Sequence, residues 1–367
     1  MKYYIIAGEA SGDLHSSNLM RSILKKDPSA EFRFWGGDLM MEVAGFSPVK
    51  HYKELAFMGF LEVAKNLGTI LKNIKFCKED LKNHQPDVLI LVDYPGFNLR
   101  IAEFAKSLGI KVVYYISPQL WAWKEGRVKK IQKYVDEMLV ILPFEKEFYK
   151  KHHVDAHFVG HPLLDAIVDL PEMDVEKFKK EHSLNEKEII ALLPGSREQE
   201  VEKMLAIMLS VRSFFPNYQF VIAGAPSLPK EFYQKYVDQN VHFVSNKTYD
   251  LLRISKAALV TSGTATLEAA LLNIPEVVCY RSSKISYEIG KRVVKDLKYI
   301  SLVNLIMDQK IVTELIQSEL NTKNLVKELN LILGEDRSKI LQEYEKLRKK
   351  LGGKGASDLA ADVIING

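Results

Sequence analysis

Along this chain, apolar and polar positions come in blocks. Tyr3–Ala7 is a short apolar run ending at Gly8 and predicts a buried strand. Leu14–Lys26 predicts a helix, and Glu31–Trp35, closed by Gly36-Gly37, a second strand. Val88–Val92 is entirely aliphatic, lies between Pro86-Asp87 and Asp93, and is the clearest buried strand. A helix over Phe97–Leu108, a strand over Lys111–Ile116, a helix over Gly126–Tyr134 and a strand over Met138–Leu142 follow. Strands alternating with helices, without hairpin turns, predict a parallel sheet covered by helices. The stretch Pro162–Lys187 breaks the pattern: it is polar, holds Pro171 and carries the charge run Glu176–Glu181, so the domain junction is placed there. The alternation then restarts, with strands over Ile189–Leu193, Gln219–Ala223, Val241–Val244, Ala257–Val260 and Val277–Tyr280, and a helix over Val201–Phe215. Ser338–Leu351 and Ala356–Ile364 predict closing helices.

Composition narrows the class. A chain of 367 residues is long for one domain at roughly 100–200 residues each, so two are expected. Lys+Arg 51 against Asp+Glu 47 leaves +4, too little for a dedicated nucleic-acid binder. Cys77 and Cys279 are isolated, which disfavours a disulfide framework or a zinc site and fits a reducing compartment. No run approaches the roughly 18 apolar residues of a membrane span. Met1 leads directly into Tyr3–Ala7, too short a run for a signal segment, so a cytoplasmic location is expected. Leu55–Leu61 is apolar and is followed by Lys65, Lys72, Lys75 and Lys78. This reads either as a helix packed on its own core or as an apolar lip backed by cations, suited to an anionic lipid surface.

Ligands of open α/β sheets bind beyond the carboxyl ends of the strands, so the chemistry is sought there. After the first strand comes Gly8-Glu-Ala-Ser-Gly-Asp13. Its glycines allow close backbone approach, and Glu9 and Asp13 suit either a polyhydroxyl ligand or the start of a helix. Asp93 follows five apolar residues, where desolvation raises the basicity of a carboxylate; a turn or cap role is the plain alternative. Ser117–Lys124 holds Trp121 and Trp123, which suit the lining of a sugar or acyl cleft. In the second half, Pro194-Gly195-Ser196-Arg197 forms a candidate phosphate cradle with a cation beside it. Thr261-Ser262-Gly263-Thr264 leads into a helix whose N–H groups suit a diphosphate, and Glu268, about one turn in, is placed to accept from ribose hydroxyls. His161 follows a strand end and serves as a structural or a cleft residue. No HExxH or acid cluster indicates a metal. Two α/β units with a diphosphate site on the second describe a nucleotide-sugar transferase of the B-type fold: two tandem Rossmann-like domains facing across a cleft, donor on the C-terminal one and acceptor on the N-terminal one.

At this point the residues resemble a known family. Gly8–Asp13, Phe57–Val63, Ser117-Pro with Trp-Ala-Trp-Lys124, Pro143-Phe-Glu145, Val159–Pro162, Leu193–Arg197, Thr261–Glu268 and Ser301–Asn304 occur in the order found in lipid-A-disaccharide synthases. The resemblance implies transfer of 2,3-diacylglucosamine from its UDP-linked form to 2,3-diacylglucosamine 1-phosphate (lipid X). It implies inversion, release of UDP, no metal or other cofactor, and work at the cytoplasmic face of the inner membrane of a Gram-negative cell. It assigns Asp93 as first choice for general base and Glu9 as a second essential acid. Gly195, Ser196, Arg197, Thr261, Ser262, Gly263, Thr264, Glu268 and Asn304 are assigned to the nucleotide-sugar site, together with Gly8, Ser11 and Gly12. Phe57, Met58, Phe60 and Leu61 are assigned to acyl chains or membrane, and Trp121 and Trp123 are placed with them by their position in the loop. The acceptor domain is expected to be residues 1–165 plus a C-terminal helix over about 353–367, and the donor domain 166–352. A homodimer exchanging C-terminal parts is a further option of the family. The chain departs from the family pattern at Ser16, where glycine is common, and at Val303, where proline is common. A UDP-sugar epimerase of the same fold and a non-catalytic nucleotide-sugar-binding protein at a membrane surface are the competing readings.

Overall fold

The computed structural model describes residues 1–55, 67–121, 125–225, 228–282 and 298–367. They form two compact units, Met1–Val168 with Leu351–Gly367, and Asp169–Lys350. The first holds seven strands: β1 (Lys2–Ala7), β2 (Glu31–Gly36), β3 (Lys50–His51), β4 (Val88–Val92), β5 (Lys111–Tyr115), β6 (Glu137–Val140) and β7 (Ala156–Phe158). They pair in parallel in the order β3-β2-β1-β4-β5-β6-β7. The chain therefore runs outward from β1 on one side, then returns to β1's other edge at β4, which is the strand-order reversal where such sheets bind ligands. Tyr3–Ala7 and Val88–Val92 are buried on both faces, as central parallel strands must be. The two-residue β3, the short β7 and the helix Asp38–Ala44 are too brief for hydrophobic periodicity to mark.

One face of this sheet is covered by the helices Leu67–His84 and Pro95–Ser107, which supply Cys77, Leu81, Ile101 and Ala105 to a core with Tyr4, Trp35 and Leu89. The polar edges of these aromatics are matched. Trp35 donates its indole N–H to the Tyr4 hydroxyl at 2.8 Å, and Tyr4 donates to Asp80 at 2.6 Å. Arg33 closes the chain on Asp80. Trp35 is thus a core residue, and the network lets large aromatics be buried without orphaned polar atoms.

The helix Ala356–Asn366 packs against Ala10–Lys26, and Lys26 Nζ meets Asp362 at 2.7 Å. Its N-terminus is held by Asp165, whose two carboxylate oxygens accept from the Gly355 and Ser357 N–H groups at 2.7 and 2.9 Å. The C-terminal helix therefore belongs to the first unit although its sequence follows the second.

The second unit has β8 (Glu188–Leu193), β9 (Tyr218–Gly224), β10 (Val241–Ser245), β11 (Ser255–Thr261), β12 (Glu276–Tyr280) and β13 (Thr313–Ile316), parallel in the order β10-β9-β8-β11-β12-β13. Its order reverses between β8 and β11. Each unit is a Rossmann-like sheet with a single switch point.

Asp165 gives a test of how the last helix is held. Asp165→Ala orphans two helix-terminal N–H groups and is expected to cost roughly 2–4 kcal/mol in urea unfolding, with amide protection lost first in Ala356–Asn366. Asp165→Asn, which keeps one acceptor, should lose less.

Candidate active site

At the switch point of the first unit, two loops adjoin because β1 pairs with β4. The loop after β1 turns into the helix Ala10–Lys26, with Glu9 half-buried as its N-terminal flanking residue. Asp13, on the first turn, has both carboxylate oxygens engaged by the backbone N–H groups of Gly37, Leu39 and Met40 at 2.7–3.1 Å. It caps the helix Asp38–Ala44, and the polyhydroxyl-binding reading of Asp13 gives way to this joint. Gly8 is buried, and a Cβ there would lie 2.5 Å from the Tyr94 ring. Gly12 packs its backbone near Ala7, whose Cβ would lie 3.2 Å from an added one. Ser11 is exposed on the first turn.

Asp93 ends β4 in the left-handed region, φ 43°, and Tyr94 follows at φ 47°. For residues with a Cβ this backbone is strained by about 1–3 kcal/mol each, so neighbours must hold it. They do. The Asn98 side chain donates to the Val92 and Asp93 carbonyls at 3.2 and 2.8 Å, the Tyr114 hydroxyl donates to the Asp93 carbonyl at 2.5 Å, and the Asp93 N–H donates to the Tyr115 carbonyl at 3.3 Å. Tyr94 then stacks on Phe97, with ring centroids 5.5 Å apart. The turn fixes the Asp93 carboxyl in a desolvated place beside the negative Glu9. Burial first, and the Glu9 charge second, push its pKa up to about 7. The sequence brings these two acids no closer than 84 positions; the sheet register makes them electrostatic neighbours.

The loop after β5 begins at Ser117, whose hydroxyl bonds to that of Tyr149 at 2.8 Å. Trp121 is half-buried and donates its indole N–H to Glu145 at 3.2 Å. Trp123, Phe57, Met58, Phe60 and Leu61 lie outside the described residues. Leu55, the first residue of the segment read either as core or as an exposed apolar lip, is buried in the core, and its carbonyl faces the Tyr94 hydroxyl at 3.5 Å. His161 is buried and accepts from the Leu163 N–H at 3.2 Å. Burial, with His15 adjacent, lowers its pKa to about 3 and keeps it neutral. Its role is structural.

In the second unit, β8 delivers Pro194, Gly195 and Ser196, with Gly195 at φ 109°. Arg197 starts the helix Glu198–Leu209, and Ser196 and Arg197 are exposed. Sequence reading missed Glu200, which folds back over the turn and accepts from the Ser196 N–H at 3.2 Å. A Cβ at Gly195 would meet this Glu200 carboxylate, and the φ of 109° is one that residues with a side chain rarely adopt. β11, paired with β8, ends at Thr261, whose buried hydroxyl has no partner among the described residues. Ser262 donates to the Ile300 carbonyl at 3.0 Å, while Gly263 and Thr264 are exposed at the start of the helix Thr264–Leu271. Glu268 accepts from Tyr249 at 3.0 Å, and burial raises its pKa. Tyr249 carried no signal in the sequence, since its helix, Thr248–Arg253, is six residues long.

Asn304 differs from expectation. Fully buried, it donates to the Val312 carbonyl and to Glu314, both at 2.9 Å, and accepts from the Ile311 and Val312 N–H groups at 2.7 and 3.0 Å. All four hydrogen-bonding positions of its amide are used, so it fastens the helix Leu302–Met307 to β13 rather than offering its side chain to a ligand.

Comparison with known proteins identifies the family. The family model described as lipid-A-disaccharide synthetase matches residues 3–364. A lipid-A-disaccharide synthase from Geobacter metallireducens is 37% identical over 371 residues, 98% of this chain and 96% of the relative. One from Syntrophus aciditrophicus is 40% identical over 372 residues, again 98% and 96%, and one from Coxiella burnetii is 36% identical over 369 residues, 99% and 97%. Among solved structures, the UDP-GlcNAc 2-epimerase of Neisseria meningitidis bound to UDP-GlcNAc superposes with TM-score 0.71 at 14% identity, covering 100% of both chains. A glycotransferase of kitacinnamycin superposes with TM-score 0.66 at 12% identity, covering 100% of this chain and 98% of that one. At such identities the structures share the two-domain fold of B-type glycosyltransferases and nothing finer, so the epimerase neighbours do not outweigh the full-length sequence match. Two Rossmann-like units, each with its loops at the switch point, and a match over nearly the whole chain lead to one conclusion: the chain belongs to the lipid-A-disaccharide synthase family, glycosyltransferases of lipid A biosynthesis.

Proposed function

We propose that the chain transfers 2,3-diacylglucosamine from UDP-2,3-diacylglucosamine to the 6-hydroxyl of 2,3-diacylglucosamine 1-phosphate, giving the β-1,6 disaccharide 1-phosphate and UDP. The observation that carries the reading is the half-buried Asp93 carboxyl at the switch point of the first unit, held in its strained turn beside Glu9 with its pKa pushed up to about 7 by desolvation. A hydroxyl is a weak nucleophile, and a carboxylate of ordinary basicity takes its proton poorly. Near 7, the same group is both ionised in a useful fraction and basic enough to act as general base. In this reading Asp93 accepts the proton of the acceptor hydroxyl as its oxygen bonds to the anomeric carbon. The bond from that carbon to the diphosphate breaks on the opposite face, which inverts the configuration. Glu9 keeps Asp93 basic by its charge. The negative charge that gathers on the leaving UDP is met by Arg197 and by the N–H groups at the start of Thr264–Leu271, without a metal. Glu268, with Tyr249 behind it, faces the ribose.

Both substrates are amphipathic, so the protein meets them at a bilayer surface. No helix among the described residues is long and apolar enough to cross a membrane. The apolar segment with Phe57, Met58, Phe60 and Leu61, followed by lysines, supports peripheral attachment at the cytoplasmic face of the inner membrane.

The reaction is tested by UDP release from UDP-2,3-diacylglucosamine in mild detergent, with and without lipid X. Release is expected only when lipid X is present, with a disaccharide monophosphate product by mass. Turnover of the UDP-sugar alone would favour the epimerase reading.

For the base, Asp93→Asn is expected to lower turnover about 100-fold or more while UDP binding stays near wild type. Wild-type kcat/KM should rise with pH through about 7. Stability should move the other way. The unfolded chain loses this proton near the ordinary 3.8 and the folded chain near 7, so between those values the folded state holds the extra proton and stability falls as pH rises. Asp93→Asn should therefore melt above wild type at pH 8 and close to it at pH 3.5. Equal turnover in a folded variant removes Asp93 from this role.

A further inference from the structure

Glu145 is 1% exposed, has no assigned part in the chemistry, and lies beside the carboxyl ends of β5 and β6. One oxygen, Oε2, accepts from the Leu142 N–H at 3.0 Å and so caps the helix Pro143–Lys151. The other, Oε1, reaches out of that helix to the indole N–H of Trp121 at 3.2 Å. The Trp121 ring stands edge-on to Phe144, with centroids 4.9 Å apart. The Ser117–Tyr149 hydroxyl pair ties the start of the same loop to the same helix. The segment Ser117–Trp121 is thus fastened at both ends to Pro143–Lys151. Its root is the end of β5, whose Tyr115 carbonyl accepts from the Asp93 N–H. A helix cap needs only one carboxylate oxygen and is normally exposed. Burying the whole group pushes its pKa up to about 8, a cost that the cap alone does not require. Inside that buried place the carboxyl also reaches the loop after β5, through the Trp121 indole and the Ser117 hydroxyl.

We propose that Glu145 is a positioning residue for the acceptor site: by its bond to the Trp121 indole it sets the loop after β5 in the place from which that loop meets the acylated sugar beside Asp93. The inference rests on the acceptor assignment made above.

Four variants test it: Glu145→Leu, Glu145→Gln, Trp121→Phe, and Trp121→Phe with Glu145→Leu. Leucine fills the site without an acceptor, glutamine keeps one acceptor oxygen, and phenylalanine keeps a ring without the N–H. Glu145→Leu and Trp121→Phe are each expected to raise the KM for lipid X about ten-fold, with kcat within about three-fold and the KM for the UDP-donor unchanged. The double variant should be no worse than Glu145→Leu alone, because that variant has already lost the bond that Trp121→Phe removes. Glu145→Gln, which has one acceptor oxygen for the two N–H donors, should recover part of the lost affinity. In ¹⁵N-labelled protein, the indole N–H signal absent from Trp121→Phe should shift in Glu145→Leu and return toward its wild-type position in Glu145→Gln.

An unmoved indole signal in Glu145→Leu overturns the proposal. So does a moved signal with unchanged lipid X KM, or a Glu145→Leu protein with wild-type KM, which would make the residue a packing and capping element. If wild type releases no UDP with lipid X, the functional reading fails by itself. The proposal then stands or falls on whether lipid X moves the Trp121 indole signal in wild type and not in Glu145→Leu.

Discussion

The pairing of β1 with β4 is the constraint on which the rest of the first unit depends. Because the chain builds outward from β1 to β3 and then returns to β1's other edge, two loops distant in sequence leave the sheet side by side. One carries Glu9 at a helix start, the other Asp93 at a strand end. Their proximity is electrostatically unfavourable and is held by the register of two central strands buried over Tyr3–Ala7 and Val88–Val92. The same reversal, between β8 and β11, brings the Gly195–Arg197 turn beside Thr261–Thr264. One topological rule thus produces an acid pair in one unit and, in the other, a rim of glycine and hydroxyl residues at two neighbouring strand ends.

Holding Asp93 there has a cost in stability that the surroundings offset. Two successive residues with side chains adopt left-handed backbone, and a carboxyl group is taken largely out of water. Asn98 and Tyr114 satisfy the exposed carbonyls of the turn, and Tyr94 is seated over Gly8, the one residue without a side chain to obstruct the ring. Stability given up at this point appears as basicity. The pattern is that of a functional site, where polar burial is retained because the chemistry needs it.

Several residues with chemical side chains turn out to hold the frame. Asp13 caps a neighbouring helix, Asp165 anchors the last helix, His161 is neutral and buried, and Asn304 spends its whole amide on fastening Leu302–Met307 to β13. Their loss would displace the elements they support. Glu145 differs from these, since it caps its own helix and reaches beyond it to a tryptophan in the loop that follows β5, the strand beside Asp93.

The sequence by itself determined the parallel α/β class, the two repeats of that pattern, and the strand ends at which chemistry would lie. Hydrophobic runs such as Val88–Val92 report burial on both faces, and Gly or an acid immediately after them reports a strand end. Those are local properties, readable from neighbouring residues. What only the tertiary structure decided is which strand ends meet and which polar groups are already taken. Glu9 and Asp93 become one electrostatic site through strand order, Tyr249 joins Glu268 from another helix, and Glu145 finds Trp121 across 24 positions. Ala356–Asn366 is marked as a helix by its pattern, yet nothing in that pattern says it packs on Ala10–Lys26. The physical reason is the same in each case: a hydrogen bond or a desolvated charge depends on distance in space, and local periodicity carries no information about distance between segments far apart in the chain.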